Sequence, residues 1–386
     1  MAVIEFYNQR LKNLKAEKAQ LSKKKSALAW LRLGAIIGIF AVFYLLWNMG
    51  AIYVIAGLGL FLFLFIRLVF IDLRTQKSIA HLNQLIAINE EELQNLAGDY
   101  YNRPDGAAYS NKEHPYVNDL DIFGRASLFQ YINRTTSEPA ESLLADGLMH
   151  AVPFENIIER QDAIKELTID IPWLQDLQAN GRRNPLQSST VTRLEKWLKQ
   201  PHTFSKFKAW SWLRYLLPVI ILSIVVGSIF SVISISALLL GLLVFAILAY
   251  QINKYVAPLH EQLSNVAGEF QSLEKNIIKI ESRDFKSKLL AALGNSVRRG
   301  EEEKDSVGAG NRLNALKKIL DRLDLRYNLV LSAPLNILLL WNLQQALDLE
   351  KWKLENNSRI KEWINTLAQF EVLGSFAILN FNHVDW

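Results

Sequence analysis

The hydrophobic residues of this chain are concentrated in two long uncharged runs. The first, Leu33 to Ile66, contains no charged residue across 34 positions, and the second, Tyr215 to Asn253, contains none across 39. A single helix crosses a bilayer in about 20 residues, so each run is long enough for two spans. Polar or small residues interrupt the runs at 48–50 and 227–236. The pattern predicts two transmembrane helical hairpins, over 33–71 and 214–253, and disfavours the alternative of buried helices in a large soluble core.

Helical periodicity continues on both sides of the first hairpin. Apolar residues fall on a and d positions of a heptad frame over the basic N-terminal segment 1–32. The pattern returns in the segment 72–113, whose last part, from Gly98 to Glu113, is a polar linker. Two arms with such seams predict an antiparallel helical pair that rises from the membrane.

A second seam follows the other hairpin and predicts a lever helix over 254–293. This helix either packs on its own chain, the interpretation that we favour, or forms a dimeric coiled coil in a homodimer. Its a and d residues are Val256, Leu259, Leu263, Val266, Phe270, Leu273, Ile277 and Ile280.

The remaining segments also have helical patterns. Residues 114–213 form a helical segment with proline-marked turns, 294–310 a polar loop, and 311–386 a further set of helices. In this last set, Trp341, Trp352 and Trp363 recur at a spacing close to three helical turns and are expected to anchor the core. No stretch has convincing strand alternation, so the predicted fold class is all-α.

Charge predicts the orientation in the membrane. Residues 1–32 contain eight Lys or Arg against two Glu, whereas the whole chain carries a net charge of +5. Basic residues flank both hairpins and are absent from their turns, so the termini and soluble segments are expected on the cytoplasmic side, of a bacterial inner membrane in our interpretation. Anionic lipid accounts for the positive excess beside the membrane. DNA binding through 23–25 is the weaker alternative.

Candidate chemistry is sparse. The chain has no cysteine, no GxxxxGK[ST] loop, and six singly placed histidines without metal-ligand spacing. Asp119 and Asp121 resemble a carboxylate pair, but beside Gly124 they are expected to shape a turn and to cap a helix that begins near Arg125. We therefore expect no enzyme activity, cofactor or metal site in this chain.

One stretch, from His114 to Leu167, resembles the opening of the core domain of the MutS family. The similarity rests on a DL-x-x-FG-x-x-SLF-x-x-x-NRT pattern, followed by RQ-x-A-x-x-EL, and a weaker likeness returns over 323–386. The residues that we assign to this structural core motif are Asp119, Phe123, Gly124, Leu128, Phe129, Asn133, Arg134, Thr135, Arg160 and Gln161. With Ile132, the aromatic, Leu128 and Arg134 side chains are expected to join the core helices.

The resemblance implies a helical lever, since the MutS core joins DNA-contacting modules to a dimeric ATPase. The family's Phe-x-Glu mismatch wedge is absent, and the second hairpin stands where the DNA clamp is expected. The chain ends at Trp386, roughly where a MutS-like ATPase domain would begin, so we expect a longer native form; ATP and Mg²⁺ would enter only with that domain.

Three functions are compatible with these features. The first is the membrane-anchored lever segment of a longer ATP-dependent, mismatch-repair-like protein. The alternative is a membrane scaffold that recruits a protein partner through its cytoplasmic helices, with no role in DNA binding. A complete mismatch-repair function is the least favoured, because the wedge and clamp are missing.

Overall fold

The structure is a computed structural model that describes residues 2–47, 50–111, 113–151, 153–201, 209–263, 266–298, 307–325 and 329–385. These residues form helices, turns and loops without a strand, which confirms the all-α prediction. The helices are α1 (Ala2–Leu46), α2 (Ala51–Leu96), α3 (Leu128–Ile132), α4 (Glu138–Met149), α5 (Phe154–Thr168), α6 (Ile171–Arg183), α7 (Ser188–Lys199), α8 (Trp210–Ile229), α9 (Ile235–Leu263), α10 (Ala267–Glu281), α11 (Lys288–Arg298), α12 (Ala309–Asp324), α13 (Leu329–Leu339), α14 (Trp341–Asn356) and α15 (Ile360–Asn382).

The chain divides into two compact units. Unit 1 comprises Met1–Ile132, Ile171–Arg183 and Ile378–Trp386, and unit 2 comprises Asn133–Asp170 and Asn184–Ala377. Four helices, α1, α2, α8 and α9, are long and apolar enough to cross a membrane. Each unit therefore contains one of the two predicted hairpins.

Unit 1 is built on α1 and α2, which pack against each other in opposite directions. Lys15 Nζ lies 2.7 Å from Glu90 Oε1, and Arg32 Nη1 lies 3.1 Å from Asp72 Oδ2, so ascending positions in α1 face descending positions in α2. The 45 residues of α1 extend about 68 Å at 1.5 Å per residue, more than twice the apolar thickness of a bilayer. The predicted antiparallel pair is thus present. We call its part outside the predicted hairpin, α1 up to Arg32 and α2 from Asp72, the stalk.

The surface of this pair changes character along its length. Lys23, Lys24 and Lys77 are exposed on the stalk, where the seam is closed by buried leucines and isoleucines of both helices. From Trp30 onward the outward side chains are large and apolar, among them Leu31, Phe40, Tyr44, Ile52, Phe63 and Phe70. Apolar side chains left exposed over this length match lipid better than water.

A chain of hydrogen bonds holds the polar end of unit 1 together. The Tyr7 hydroxyl donates to Asn382 Oδ1 at 2.8 Å, and Asn382 Nδ2 donates to Glu92 Oε2 at 2.9 Å. The other oxygen of this buried carboxylate lies 3.3 Å from Arg103 Nη2. These bonds join α1, α2, the linker after α2 and the last residues of α15.

Unit 2 contains the second hairpin, α8 and α9. The turn at 230–234 lies within the predicted serine-rich interruption, and Ser231 adopts a left-handed conformation with φ 59°. Beyond the membrane run, α10 packs on α12 through buried residues that include Phe270, Leu273 and Ile277. The described part of the predicted seam is therefore buried within the chain, as the interpretation that we favoured requires.

Several element boundaries differ from the prediction. The lever helix over 254–293 is divided, since α9 ends at Leu263 and α10 begins at Ala267; the Leu259 side chain and residues 264–265 lie outside the described residues. The predicted loop 294–310 is helical at both ends, as its first five residues belong to α11 and its last two to α12. Leu340, with φ 46°, separates α13 from α14 inside a segment that reads as one helix.

The tryptophan prediction agrees with the structure for two of the three residues. Trp352 and Trp363 are 4% and 2% exposed, and Trp341 is partly buried. The Trp352 indole N–H donates to the Arg312 carbonyl at 2.7 Å, so its polar edge is also satisfied inside unit 2.

Candidate functional site

The boundary between the two units falls inside the predicted core motif. Residues up to Ile132 belong to unit 1, whereas Asn133 and the residues that follow belong to unit 2. The motif therefore contributes a packed turn to unit 1 and a polar loop to unit 2, and we describe each in its own unit.

In unit 1, the aromatic part of the motif forms a compact turn before α3. Phe129 is fully buried, and its ring centroid lies 5.5 Å from that of Phe123. Gly106 has a φ of 66°, and a Cβ atom placed there would lie 2.6 Å from the Phe129 ring. Gly124, with a φ of 102°, donates its N–H to the Asp105 carbonyl at 2.8 Å. Both glycines therefore adopt a backbone conformation that residues with a side chain rarely adopt.

Two expectations for this turn were wrong. Leu128 is 42% exposed and does not pack in the core, because α3 directs Phe129 and Ile132 inward instead. The helix begins at Leu128 rather than near Arg125, and Ser127 caps it through a 3.2 Å bond from the Gln130 N–H.

The two aspartates act differently from the prediction. Asp119 and Asp121 are exposed and do not cap α3 with their carboxylates. Asp121 instead contributes its backbone: it adopts a φ of 47°, and its carbonyl accepts the Leu128 N–H at 3.0 Å. The turn that we expected is present, but main-chain groups close it.

In unit 2, the Asn-Arg-Thr triplet forms a short polar loop before α4. Asn133 Oδ1 accepts the Thr135 N–H at 2.9 Å and the Thr135 hydroxyl at 2.7 Å, a local bond pattern typical of an Asx turn. Arg134 is buried, and its backbone N–H donates to Ser375 Oγ at 3.1 Å. The triplet thereby attaches the start of α4 to α15.

Glu371 of α15 binds the two residues that follow this triplet, Thr136 and Ser137. Its Oε2 accepts the Thr136 N–H at 2.7 Å, the Ser137 N–H at 3.0 Å and the Ser137 hydroxyl at 3.1 Å, and its Oε1 accepts the Thr136 hydroxyl at 3.0 Å. Ser137 is also the N-cap of α4. We call Glu371, Ser375, Arg134, Thr136 and Ser137 the Glu371 clamp. A carboxylate at a helix N-terminus satisfies N–H groups that have no partner within the helix.

Ionisation of Glu371 is subject to opposed influences. Burial raises the pKa of this carboxyl above its ordinary value, and the four hydrogen bonds, which favour the charged form, offset that effect only in part. The geometry is that of a structural attachment, since two backbone N–H groups and two hydroxyls donate to one buried side chain.

The second half of the motif lies on α5, also in unit 2, and its glutamate repeats this arrangement. Glu166 accepts the backbone N–H groups of Lys286 at 2.8 Å and Ser287 at 2.6 Å, just before α11. Burial acts to raise the pKa of Glu166, but these bonds, the Ser287 hydroxyl and Arg283 together hold it below its ordinary value. Leu167, the last residue of the motif, is buried.

Arg160 and Gln161 do not join the packed core; both are exposed and line a cleft of about 520 Å³. We call it the Arg160 cleft. Arg160 forms no hydrogen bond or ion pair with another described residue. At the rim, His150 Nδ1 lies 2.9 Å from Asp146 Oδ1. The walls are mainly apolar and include Leu143, Ile157, Ile164, Leu289, Val372 and Phe376.

These residues do not converge on a metal site. Among the described residues, no group of three or more His, Asp or Glu side chains converges in a way that could hold a metal ion. Several motif residues instead hold helix ends in place, and Arg160 lies beside the apolar walls of the Arg160 cleft.

Sequence reasoning missed the acceptors that give the motif its function in the fold. Glu371 and Ser375 lie more than 230 positions from the residues that they bind, so no short-range motif connects them to that segment. Their four-residue spacing on one helix face was the available signal.

No family model, no curated protein and no solved structure matches this chain.

Proposed function

We propose that this chain is a membrane-anchored, MutS-like lever segment. In this segment α15 is the lever, and the Glu371 clamp attaches it to the residues before α4. The observation that carries the proposal is the clamp itself: Arg134 of the motif and the two residues after the Asn-Arg-Thr triplet, Thr136 and Ser137, bind α15 through five hydrogen bonds. α15 is a continuous helix whose first residues belong to unit 2 and whose last residues belong to unit 1. A continuous helix transmits a displacement along its axis better than a loop does, because its backbone is held by hydrogen bonds.

Both hairpins, and the basic residues next to them, support the membrane anchor in this proposal. The positive-inside tendency favours a cytoplasmic stalk, because Lys23, Lys24, Arg74 and Lys77 are exposed beside the apolar surface that starts near Trp30. The proposal therefore has the lever working on the cytoplasmic face of a bacterial inner membrane, within a longer ATP-dependent protein that resembles mismatch-repair proteins.

Hydrogen exchange of the protein in lipid nanodiscs tests the lever. The variant Thr136→Val with Ser137→Ala removes both hydroxyl donors and leaves both backbone donors of the clamp in place. We expect faster exchange in α2 around Glu92 and at the end of α15 around Asn382, as well as near the clamp, because a loosened α15 should loosen its far end.

The matched control is Ser142→Ala with Thr192→Val, two exposed hydroxyls of the same unit. It should leave exchange unchanged at both places. If the clamp variant speeds exchange only within 133–140 and 368–377, α15 does not act as a lever and the proposal fails. Saturable ATP binding by this chain would also contradict it, since the proposal assigns nucleotide binding to a separate ATPase domain.

The second candidate is a membrane scaffold, and the Arg160 cleft favours it. Exposed Phe154 and Ile158 extend the apolar surface next to the cleft, as expected of a site that a protein partner covers. Binding of duplex DNA by the nanodisc-embedded protein, weakening steeply between about 50 and 200 mM salt, would count against the scaffold, because that dependence reports phosphate contacts.

A further inference from the structure

Besides the four candidate spans, unit 2 contains a shorter apolar helix, α13, that packs against the membrane hairpin. α13 contacts both α8 and α9. It lies within an uncharged run from Tyr327 to Leu347, which is interrupted by the left-handed Leu340. Its 11 residues extend about 16 Å, roughly half of the apolar thickness of a bilayer.

The chain leaves and returns at one place around α13. The Trp341 indole N–H, at the start of α14, donates to the carbonyl of Arg322, near the end of α12, at 2.9 Å. α13 therefore lies on an excursion of the chain whose two ends, Arg322 and Trp341, are in contact. An excursion of this kind is the topology of a re-entrant segment.

Contacts with the hairpin fix where this excursion takes place. Asn342 Nδ2, two residues beyond the break, donates at 3.0 Å to Oδ1 of Asn253, the last residue of the uncharged run in α9. α8 starts at Trp210 and enters the uncharged run at Tyr215, so most of this helix belongs to the membrane run, and α13 contacts it as well as α9.

Part of the hairpin surface is buried and part is exposed. Ile221 of α8 is fully buried and Phe245 of α9 is 5% exposed, whereas Leu243 is 57% exposed. Phe245 lies about 12 Å along α9 from Asn253, a distance that α13 is long enough to cover. α14 also contacts both α8 and α9, but it is charged and pairs its Asp348 with Arg214 at 2.8 Å.

Main-chain N–H groups and the Asn336 side chain at the break have partners within the protein. Asn336 Nδ2 donates to the Ser332 carbonyl at 2.9 Å, and Asn336 Oδ1 accepts the Asn342 N–H, at the start of α14, at 3.0 Å. The Leu340 N–H donates to the Asn336 carbonyl at 3.1 Å. Irregular backbone is tolerated at membrane depth only when protein groups supply such partners.

We propose that α13 is a re-entrant half-helix, inserted in the cytoplasmic leaflet beside the second hairpin, with its outer face against lipid acyl chains. The occupant is lipid because α13 continues the apolar surface of a membrane hairpin and is itself uncharged. Its outward residues Ala333 and Pro334 are exposed and present no polar side-chain group. This inference is independent of the proposed lever.

Spin labelling tests this placement directly, because the chain has no native cysteine. A nitroxide is attached to Ala333→Cys in nanodiscs, and its relaxation is measured with oxygen, which concentrates in the bilayer, and with a water-soluble nickel chelate. Leu243→Cys in α9 is the membrane reference. Ala315→Cys, another exposed alanine in α12, is the aqueous reference.

We expect the Ala333 label to respond to oxygen and to exclude nickel, as the Leu243 label does, and opposite to the Ala315 label. Nickel accessibility equal to that of Ala315 would place α13 in water and overturn the proposal. A label at headgroup depth would mean that α13 lies on the surface, and shielding from both reagents would mean that protein covers it; either result overturns the lipid assignment.

Discussion

At the scale of single residues, Glu371 links ionisation to the stability of the clamp. Burial raises the pKa of this carboxyl above its ordinary value, so the folded state binds the proton more tightly than the unfolded state. Its contribution to stability is therefore fully present below the pKa of an unfolded glutamate, and it is lost as the pH rises from that value through the raised pKa.

We therefore expect Glu371→Gln to change both the free energy of unfolding and its dependence on pH. The free energy of unfolding of the wild type should fall relative to that of the variant as the pH rises through this window, because glutamine does not titrate. Denaturant unfolding at a series of pH values measures the difference. Glu362→Gln, at an exposed position of α15, is the control; two parallel curves for the wild type and Glu371→Gln would contradict the prediction.

Gly106 offers a second test at the residue scale. Alanine at this position would combine a φ of 66° with a Cβ atom 2.6 Å from the ring of fully buried Phe129. We expect Gly106→Ala to destabilise unit 1 by about 1–3 kcal/mol, from strain and overpacking together.

Gly147→Ala is its matched control, because this glycine lies in α4 with no atom within 4 Å of the added Cβ. That substitution should leave stability unchanged or raise it by up to about 1 kcal/mol. Denaturant unfolding in mild detergent compares the two. Equal effects of both substitutions would mean that the turn before α3 is looser than its geometry indicates.

At the scale of elements, the stalk contains two ion pairs with different surroundings. The Asp72 side chain is 8% exposed and faces Arg32 at the edge of the apolar surface, whereas the Lys15 and Glu90 side chains are 56% and 47% exposed. Removal of one partner from a buried pair leaves an uncompensated charge, while an exposed pair contributes little.

We accordingly expect Arg32→Leu to destabilise the α1–α2 pair by about 3–5 kcal/mol, and Lys15→Leu by less than about 1 kcal/mol. The double variant Arg32→Leu with Asp72→Leu should recover most of the loss, because it removes the unpaired carboxylate. A double-mutant cycle of unfolding free energies in detergent gives the coupling. A coupling as small as that between Lys15 and Glu90 would show that water reaches Asp72.

The helices themselves were largely predictable, and their breaks were not. The uncharged runs and heptad seams predicted both hairpins and the antiparallel pair, because charge and periodicity report which surfaces avoid water. The division of the 254–293 helix and the left-handed Leu340 escaped prediction. Periodicity shows which side of a helix is buried, and it continues across a break when both pieces pack on the same neighbour.

Side-chain roles in the motif were only partly predictable, for a similar reason. Phe129 and Ile132 are buried as expected, since aromatic and branched residues beside a short helix have few alternatives. Leu128 and Arg160 are exposed, because the start of α3 and the cleft beside α5 set their orientation. The acceptors Glu371 and Ser375 come from a distant helix, and only the tertiary fold reveals such partners.

At the scale of the whole molecule, topology in the membrane decides where the soluble residues can act. Basic residues flank both hairpins and are missing from both turns, so both turns should face the outside and every soluble segment the cytoplasm. Asn48→Cys in the first turn and Val232→Cys in the second should then react with a membrane-impermeant maleimide in intact cells. Ser142→Cys, at an exposed position of α4, should react only after lysis.

The cysteine-free chain gives no background labelling. Reaction of only one turn from outside would mean that the two hairpins insert in opposite directions, and reaction of Ser142→Cys in intact cells would place the clamp outside and exclude any cytoplasmic partner for the lever.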